Sequence, residues 1–218
     1  MAPFFIFIQN CLKMKDINGI PVYRAVVDDT EATGMELVSF VDDCAVSVDF
    51  LAVAKSEPMQ FSVQSEEQRK VLGVVMRPDF PIYRETIDGL PFYIVYDAQT
   101  IHKMAEKFFA TMNVNNVDTD HSFELVDGVT LTQAFFKNVE KGINPAGFEE
   151  LPDDTLFFEY HITSDDIWAG IKNGTWKGLS LAGHFNIEPV TMQKQEPKAN
   201  VLDEIETLID KINNKIKQ

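Results

Sequence analysis

Ser180 lies in Lys177-Gly178-Leu179-Ser180-Leu181-Ala182-Gly183. It is polar where its two leucine neighbours set an apolar pattern, and the glycines on either side let another backbone or a substrate come close. A serine hydroxyl is a poor nucleophile at neutral pH and needs a base. His121, in Asp118-Thr119-Asp120-His121-Ser122, ends an extended segment ahead of a loop, from where it can reach a neighbouring strand. Imidazole is the side chain suited to general-base work near neutrality. Each residue also has a plainer reading, Ser180 as a small core or outward-facing serine and His121 as a solvated loop histidine. Together they have the makings of acyl transfer through a serine.

Other groups compete less well. Ser180, Ala182 and His184 share one face of an extended strand, but four residues of strand rise put Ser180 and His184 about 13 Å apart. His184 is therefore expected to be a rim or structural residue. Asp118, Asp120, Asp127 and Glu159 form an acidic set. With 34 Asp and Glu in the chain, carboxylates near any histidine are expected from composition, and on an extended segment Asp118 and Asp120 face away from His121. The four histidines show no metal-ligand spacing and have no cysteine nearby, which argues against a structural zinc. No cofactor or metal is expected.

Composition narrows the partners. The 218 residues carry a formal charge of −15, and such a surface repels nucleic-acid phosphates. No run approaches the roughly 20 apolar residues of a membrane span. Pro3–Leu12 is apolar but short, with no basic residue before it and no small-residue cleavage site, so it does not read as a signal peptide. Cys11 and Cys44 lack CxxC spacing and are expected as reduced thiols in a cytoplasmic setting. Seventeen phenylalanines can build a core from aromatic area without a staple.

The elements that must hold Ser180 and His121 are mostly strands. Ile20–Val27, Met35–Val41, Val46–Ala54, Val71–Met76, Phe92–Tyr96, Val129–Phe136, Thr155–Ile162 and Gly178–Ile187 carry strand patterns. Val71–Met76 is a continuous apolar run, as in a strand buried on both faces. Asp88-Gly89 marks a turn, with Phe92–Tyr96 as the return strand. Asp97 can cap a helix on which Ile101, Met104, Ala105, Phe108, Phe109 and Met112 recur at helical spacing. Val117–His121 reads as extended. Ser164 caps a short second helix that Gly174 stops. The class is α+β, with a largely antiparallel sheet or barrel flanked by helices. Residues 1–15 read as an extension, 16–60 as a strand-rich N-terminal segment, 61–188 as the core and 189–200 as a linker. Over 201–218, Leu202, Ile205, Ile209, Ile212 and Ile216 form an amphipathic, coiled-coil-like stripe.

Several stretches, in order, resemble the prohead (capsid-maturation) serine proteases of tailed phages, in particular the XkdF-like group. They are Glu67–Tyr83 (EQRKVLGVVMRPDFPIY), Asn115–His121 (NNVDTDH), Asp165–Trp168 (DDIW) and Gly178–Phe185 (GLSLAGHF), with Leu37–Val46 (LVSFVDDCAV) similar to the leader of such proteins. The resemblance covers roughly residues 20–188. It implies a fold like that of herpesvirus assemblins, a β-barrel ringed by helices, with Ser180 as nucleophile and His121 as general base. It further implies a third member in the strand after the histidine, where Gln133 aligns. A glutamine orients an imidazole by hydrogen bonding but supplies no charge. Relatives often carry Glu two residues past the serine, where this chain has Ala182. The implied function is an endopeptidase that cleaves phage scaffold and major capsid proteins inside the prohead, in the host bacterial cytoplasm. Gln133 and Ala182 also fit an alternative, a catalytically inactive structural or assembly protein of the phage head that keeps the protease fold.

The stripe at 202–216 is too short to be stable alone and is expected to pack against a partner helix, in another copy or another protein. Deleting residues 190–218 tests this: a truncated protein that keeps its melting temperature but is missing from proheads supports an attachment helix. A fall of several degrees would make the stripe part of the core.

Overall fold

Regular structure follows where the sequence alternates or repeats, and it ends where proline and glycine interrupt. The computed structural model describes residues 15–29, 33–42 and 62–191. The expectations for residues 1–14, Val46–Ala54, both cysteines and the helix at 201–218 fall outside the described residues. Twelve strands, two α-helices and one 3₁₀ turn alternate along the described chain. The strands are β1 Asp16–Ile17, β2 Ile20–Val26, β3 Gly34–Val41, β4 Ser62–Ser65, β5 Lys70–Met76, β6 Ile82–Glu85, β7 Pro91–Val95, β8 Val117–Thr119, β9 Val129–Phe136, β10 Leu156–Ile162, β11 Gly178–His184 and β12 Asn186–Pro189. Helix α1 spans Ala98–Ala110 and α2 Asp165–Lys172.

The strands form three sheets. One runs β1-β2-β7-β6, with β12 also on β2; another β4-β5-β10-β9; the third β11-β3-β8. Pairing is antiparallel except for β2 with β7 and β3 with β8. The α+β class therefore holds, with strands dominant, but the sheets do not close into the expected barrel. The chain changes sheet instead of continuing round. After β5, Pro78 and Pro81 cannot donate to a ladder. The antiparallel partner of β7 across the Asp88-Gly89 turn is then β6, in a different sheet from β5. Gly178–Ile187, expected as one strand, divides at Phe185: β11 pairs with β3, and β12 crosses to β2. Pro189, expected to open the linker, ends β12, and Val190 still bonds the backbones of Lys15 and Val22.

Val71–Met76 is buried throughout, as a run apolar on both faces requires. Helix α1 starts at Asp97, whose carboxylate accepts the Thr100 amide, and buries Ile101, Met104, Ala105 and Phe108. Helix α2 starts at Ser164, which accepts the Ile167 amide, with Asp165 and Asp166 in its first turn, where the helix dipole favours negative charge. The main core gathers side chains from all three sheets and both helices, including Val38, Phe40, Phe108, Phe158, Trp168 and Leu179. No helix among the described residues is long and apolar enough to cross a membrane.

β3 is the central strand of the third sheet and is buried at every position but Glu36. β11 lies so close to its start that a Cβ added at Gly183 would overlap the Gly34 carbonyl, and the register shifts between Ala182 and Gly183. The obstruction is backbone on both sides, so no side chain can swing away. Gly183→Ala is expected to cost about 1–3 kcal/mol and to lower the melting temperature by several degrees in a thermal scan. An unchanged melting temperature would show that the two strands can part there without penalty.

Candidate active site

The β3–β11 register places Ser180 directly opposite Ser39, and the β3–β8 register places Ser39 beside Asp118. Paired residues of neighbouring strands project from the same face. Ser180, Ser39 and Asp118 therefore form one row across three adjacent strands. All three are buried, Ser180 at 4% and the other two at 0% relative exposure.

His121 closes over this row. β8 ends at Thr119, and the chain turns through Asp120 (φ 57°) and His121 (φ 53°), with the Ser122 amide bonded to the Thr119 carbonyl. Positive φ at both central positions is the pattern of a tight primed turn. This is where the extended reading of 117–121 gives way, because the turn reverses the chain and brings the imidazole back over the sheet. Left-handed φ at non-glycine residues costs on the order of 1–3 kcal/mol each and persists only where surroundings impose it. Here the Asp120 amide bonds the Phe40 carbonyl, the Val126 amide bonds the Val117 carbonyl, and the Phe123 amide donates to Asp118 Oδ2 at 2.7 Å.

The imidazole spans the two serines. Nε2 lies 3.0 Å from Ser180 Oγ and Nδ1 lies 2.9 Å from Ser39 Oγ. His121 itself is exposed, so a reacting group can approach from its open side. With the proton on Nδ1 donated to Ser39, Nε2 presents its lone pair to the Ser180 hydroxyl, the arrangement a general base requires. Next along β11, an open cleft of about 510 Å³ is lined by Leu181, Ala182, His184, Phe123, Phe92 and Arg84, among others, but not by Ser180 or His121 themselves. Burial pushes the Arg84 guanidinium below its usual range, and nearby Tyr96 opposes this.

The structure thus brings together Ser180 and His121 and does not bring Gln133 to them. Gln133 is on β9, in another sheet, and its amide nitrogen donates to Glu159 Oε1 at 3.2 Å. The partner at Nδ1 is Ser39. The signal that could have found it is the one that singled out Ser180, a serine set among apolar residues of a strand (Leu37-Val38-Ser39-Phe40-Val41). His184 pairs with Glu36 at 3.0 Å and stands at the cleft rim. His102 meets Asp154 at 2.9 Å and stacks on Phe136.

Gln133 belongs to a separate polar cluster. Burial pushes the Glu159 carboxyl up, but hydrogen bonds from Thr132, Lys70 and Gln133 outweigh it and hold the group below the usual carboxylate range. Lys70 Nζ donates to Glu159 at 3.0 Å and Thr132 Oγ1 at 2.7 Å. A carboxyl whose folded pKa lies below its unfolded value stabilises the fold above the unfolded value, and that contribution is lost as pH falls through the folded one. Glu159→Gln is therefore expected to destabilise by about 1.5–3 kcal/mol at pH 7. The difference from the native chain should shrink below the ordinary carboxylate range. Urea unfolding at both pH values reads it, and an equal loss at both would contradict the assignment.

Comparison with known proteins gives a consistent result. Residues 59–188 match the family described as "Putative phage serine protease XkdF". A curated relative, the phage-like element PBSX protein XkdF of Bacillus subtilis (strain 168), is 29% identical, with 72% of this chain and 55% of that protein covered. The chain spans about half the length of that relative. No solved structure matches. The chain belongs to the XkdF family of phage proteins.

Proposed function

We propose that this member of the XkdF family is a serine endopeptidase with Ser180 as nucleophile and His121 as general base. The observation that carries the reading is the 3.0 Å approach of His121 Nε2 to Ser180 Oγ, with the other ring nitrogen held by a buried hydroxyl. The family description points the same way.

In the first half-reaction Ser180 Oγ attacks the scissile carbonyl carbon while its proton passes to His121 Nε2. The tetrahedral intermediate collapses as His121 returns that proton to the leaving amine, which departs as the new N-terminus. Water, activated by the same imidazole, then hydrolyses the acyl-enzyme and restores Ser180. The substrate chain lies along the cleft beyond Ser180, where Phe92 and Phe123 supply apolar surface. The substrates are scaffold and major capsid proteins of a phage head, cleaved inside the prohead in the host bacterial cytoplasm.

Two observations favour a second reading. Ser180 is only 4% exposed and the residue at Nδ1 is neutral, as would suit an assembly protein that keeps the fold without the activity. A fluorophosphonate probe separates the two. The native protein is expected to be labelled stoichiometrically on Ser180, and Ser180→Ala to abolish labelling and the cleavage of co-expressed scaffold while leaving the melting temperature within a degree or so. Processing that continues in Ser180→Ala would remove the assignment, and a native protein that never labels would favour the assembly role.

A further inference from the structure

Asp118 raises a question that the Ser180–His121 pair leaves open. Its side chain is fully buried. One oxygen, Oδ2, accepts the Phe123 amide. The other, Oδ1, is buried and has no hydrogen-bond partner among the described residues. A buried carboxylate oxygen left unpaired is costly enough that native structures seldom tolerate it without a reason. Ser39 has the complementary excess. If its Oγ accepts the imidazole Nδ1 proton, its own hydroxyl hydrogen is left to find an acceptor. Ser39 and Asp118 are paired neighbours on β3 and β8, strands that lie about 4.8 Å apart. Side chains of directly paired residues stand on one face about 4.5–5.5 Å apart at Cβ, within reach of a hydroxyl–carboxylate bond.

We infer that Asp118 is a positioning residue for His121 and acts through Ser39: Nδ1–H of His121 donates to Ser39 Oγ, and the Ser39 hydroxyl donates to Asp118 Oδ1. The inference rests on the proposed protease chemistry for its purpose but not for its geometry. Hydroxyl and carboxylate together do what a directly bonded carboxylate does in other serine hydrolases. They fix the tautomer that leaves Nε2 free to take the Ser180 proton, and the fixed negative charge favours the imidazolium formed when that proton arrives. The same carboxylate ties down the turn that carries His121 through Oδ2. One buried group therefore sets both where the imidazole sits and which nitrogen bears its proton.

The plainer alternative gives Asp118 only the turn. Asp118→Asn separates the two roles, since its amide oxygen can still accept the Phe123 amide while the charge is gone. Nitrogen-15 NMR of the full chain reads the tautomer of neutral His121 directly. The native protein is expected to carry the proton on Nδ1, with a downfield, slowly exchanging N–H signal. Asp118→Asn and Ser39→Ala should each lose that signal and show mixed tautomers, and Ser39→Thr, which keeps the hydroxyl, should restore it. Fluorophosphonate labelling of Ser180 should slow at least tenfold in Asp118→Asn and in Ser39→Ala, with the double variant no slower than either. A native His121 protonated on Nε2, or an unchanged N–H signal in Asp118→Asn, would overturn the relay. Should Asp118→Asn fail to fold, the native tautomer and the Ser39 pair still decide. A native protein that does not label counts against the protease reading alone, because the NMR signals test the relay without catalysis.

Discussion

The arrangement depends on one register, that of β11 against β3. Side chains alternate along a strand with a period of two, so a slip of a single residue would turn Ser180 to the opposite face of the sheet and replace it with a leucine. Ser39 opposite Ser180 is the only pairing that gives the imidazole a hydroxyl at each nitrogen. The register is held from both ends. At one end Lys177 donates its amide to the Val41 carbonyl and its ammonium to Asp42. At the other, Gly183 lets the backbone of β11 settle against Gly34. The leucine on the other face, Leu179, is buried in the main core, so a slip would also expose apolar area there.

The second constraint is the turn at Asp120-His121. A strained backbone at His121 is informative because it persists only where the surroundings impose it. Neither aspartate nor histidine has the freedom of glycine at positive φ, although both tolerate it better than most residues. The turn survives because four backbone amides on or just beyond it have acceptors on β8, on β3 or on Asp118. The strain and its restraints place the imidazole over the serines while one side stays open to solvent, a combination that a relaxed loop would not hold.

Much of this is legible in the sequence, and the rest is hidden for physical reasons. Ser180 and His121 stand out because each departs from the periodicity around it, and the structure puts them 3.0 Å apart. Helix α1 is readable from its cap and its apolar stripe, and β5 from its unbroken apolar run. Gln133 rests on position in a resemblance, and position in sequence does not say which sheet a strand joins. β9 pairs with β10, leaving Gln133 beside Glu159. Ser39 carries the same local signal as Ser180, a hydroxyl inside an apolar strand, but nothing local says that the two strands pair in that register. Asp118 faces away from His121 only so long as 117–121 stays extended. Two consecutive left-handed residues reverse that relation, and neither is a glycine that would announce a turn. The division of 178–187 between two sheets is likewise a matter of long-range pairing.

The imidazole and its two hydroxyl partners come from distant parts of the chain: 82 positions separate Ser39 from His121, and 59 more lead to Ser180. The region that matches the family begins at residue 59, so Ser39 lies outside it. During synthesis the strand bearing Ser39 and the turn bearing His121 are complete first, and Ser180 follows about 3–12 s later at ordinary ribosomal rates. Until β11 arrives, one edge of β3 is an unpaired ladder and His121 Nε2 lacks its Ser180 partner. In that interval the bare edge of β3 is open to the wrong partner. Pairing of β11 with β3 removes that hazard and completes the row of Ser180, Ser39 and Asp118 beneath the imidazole.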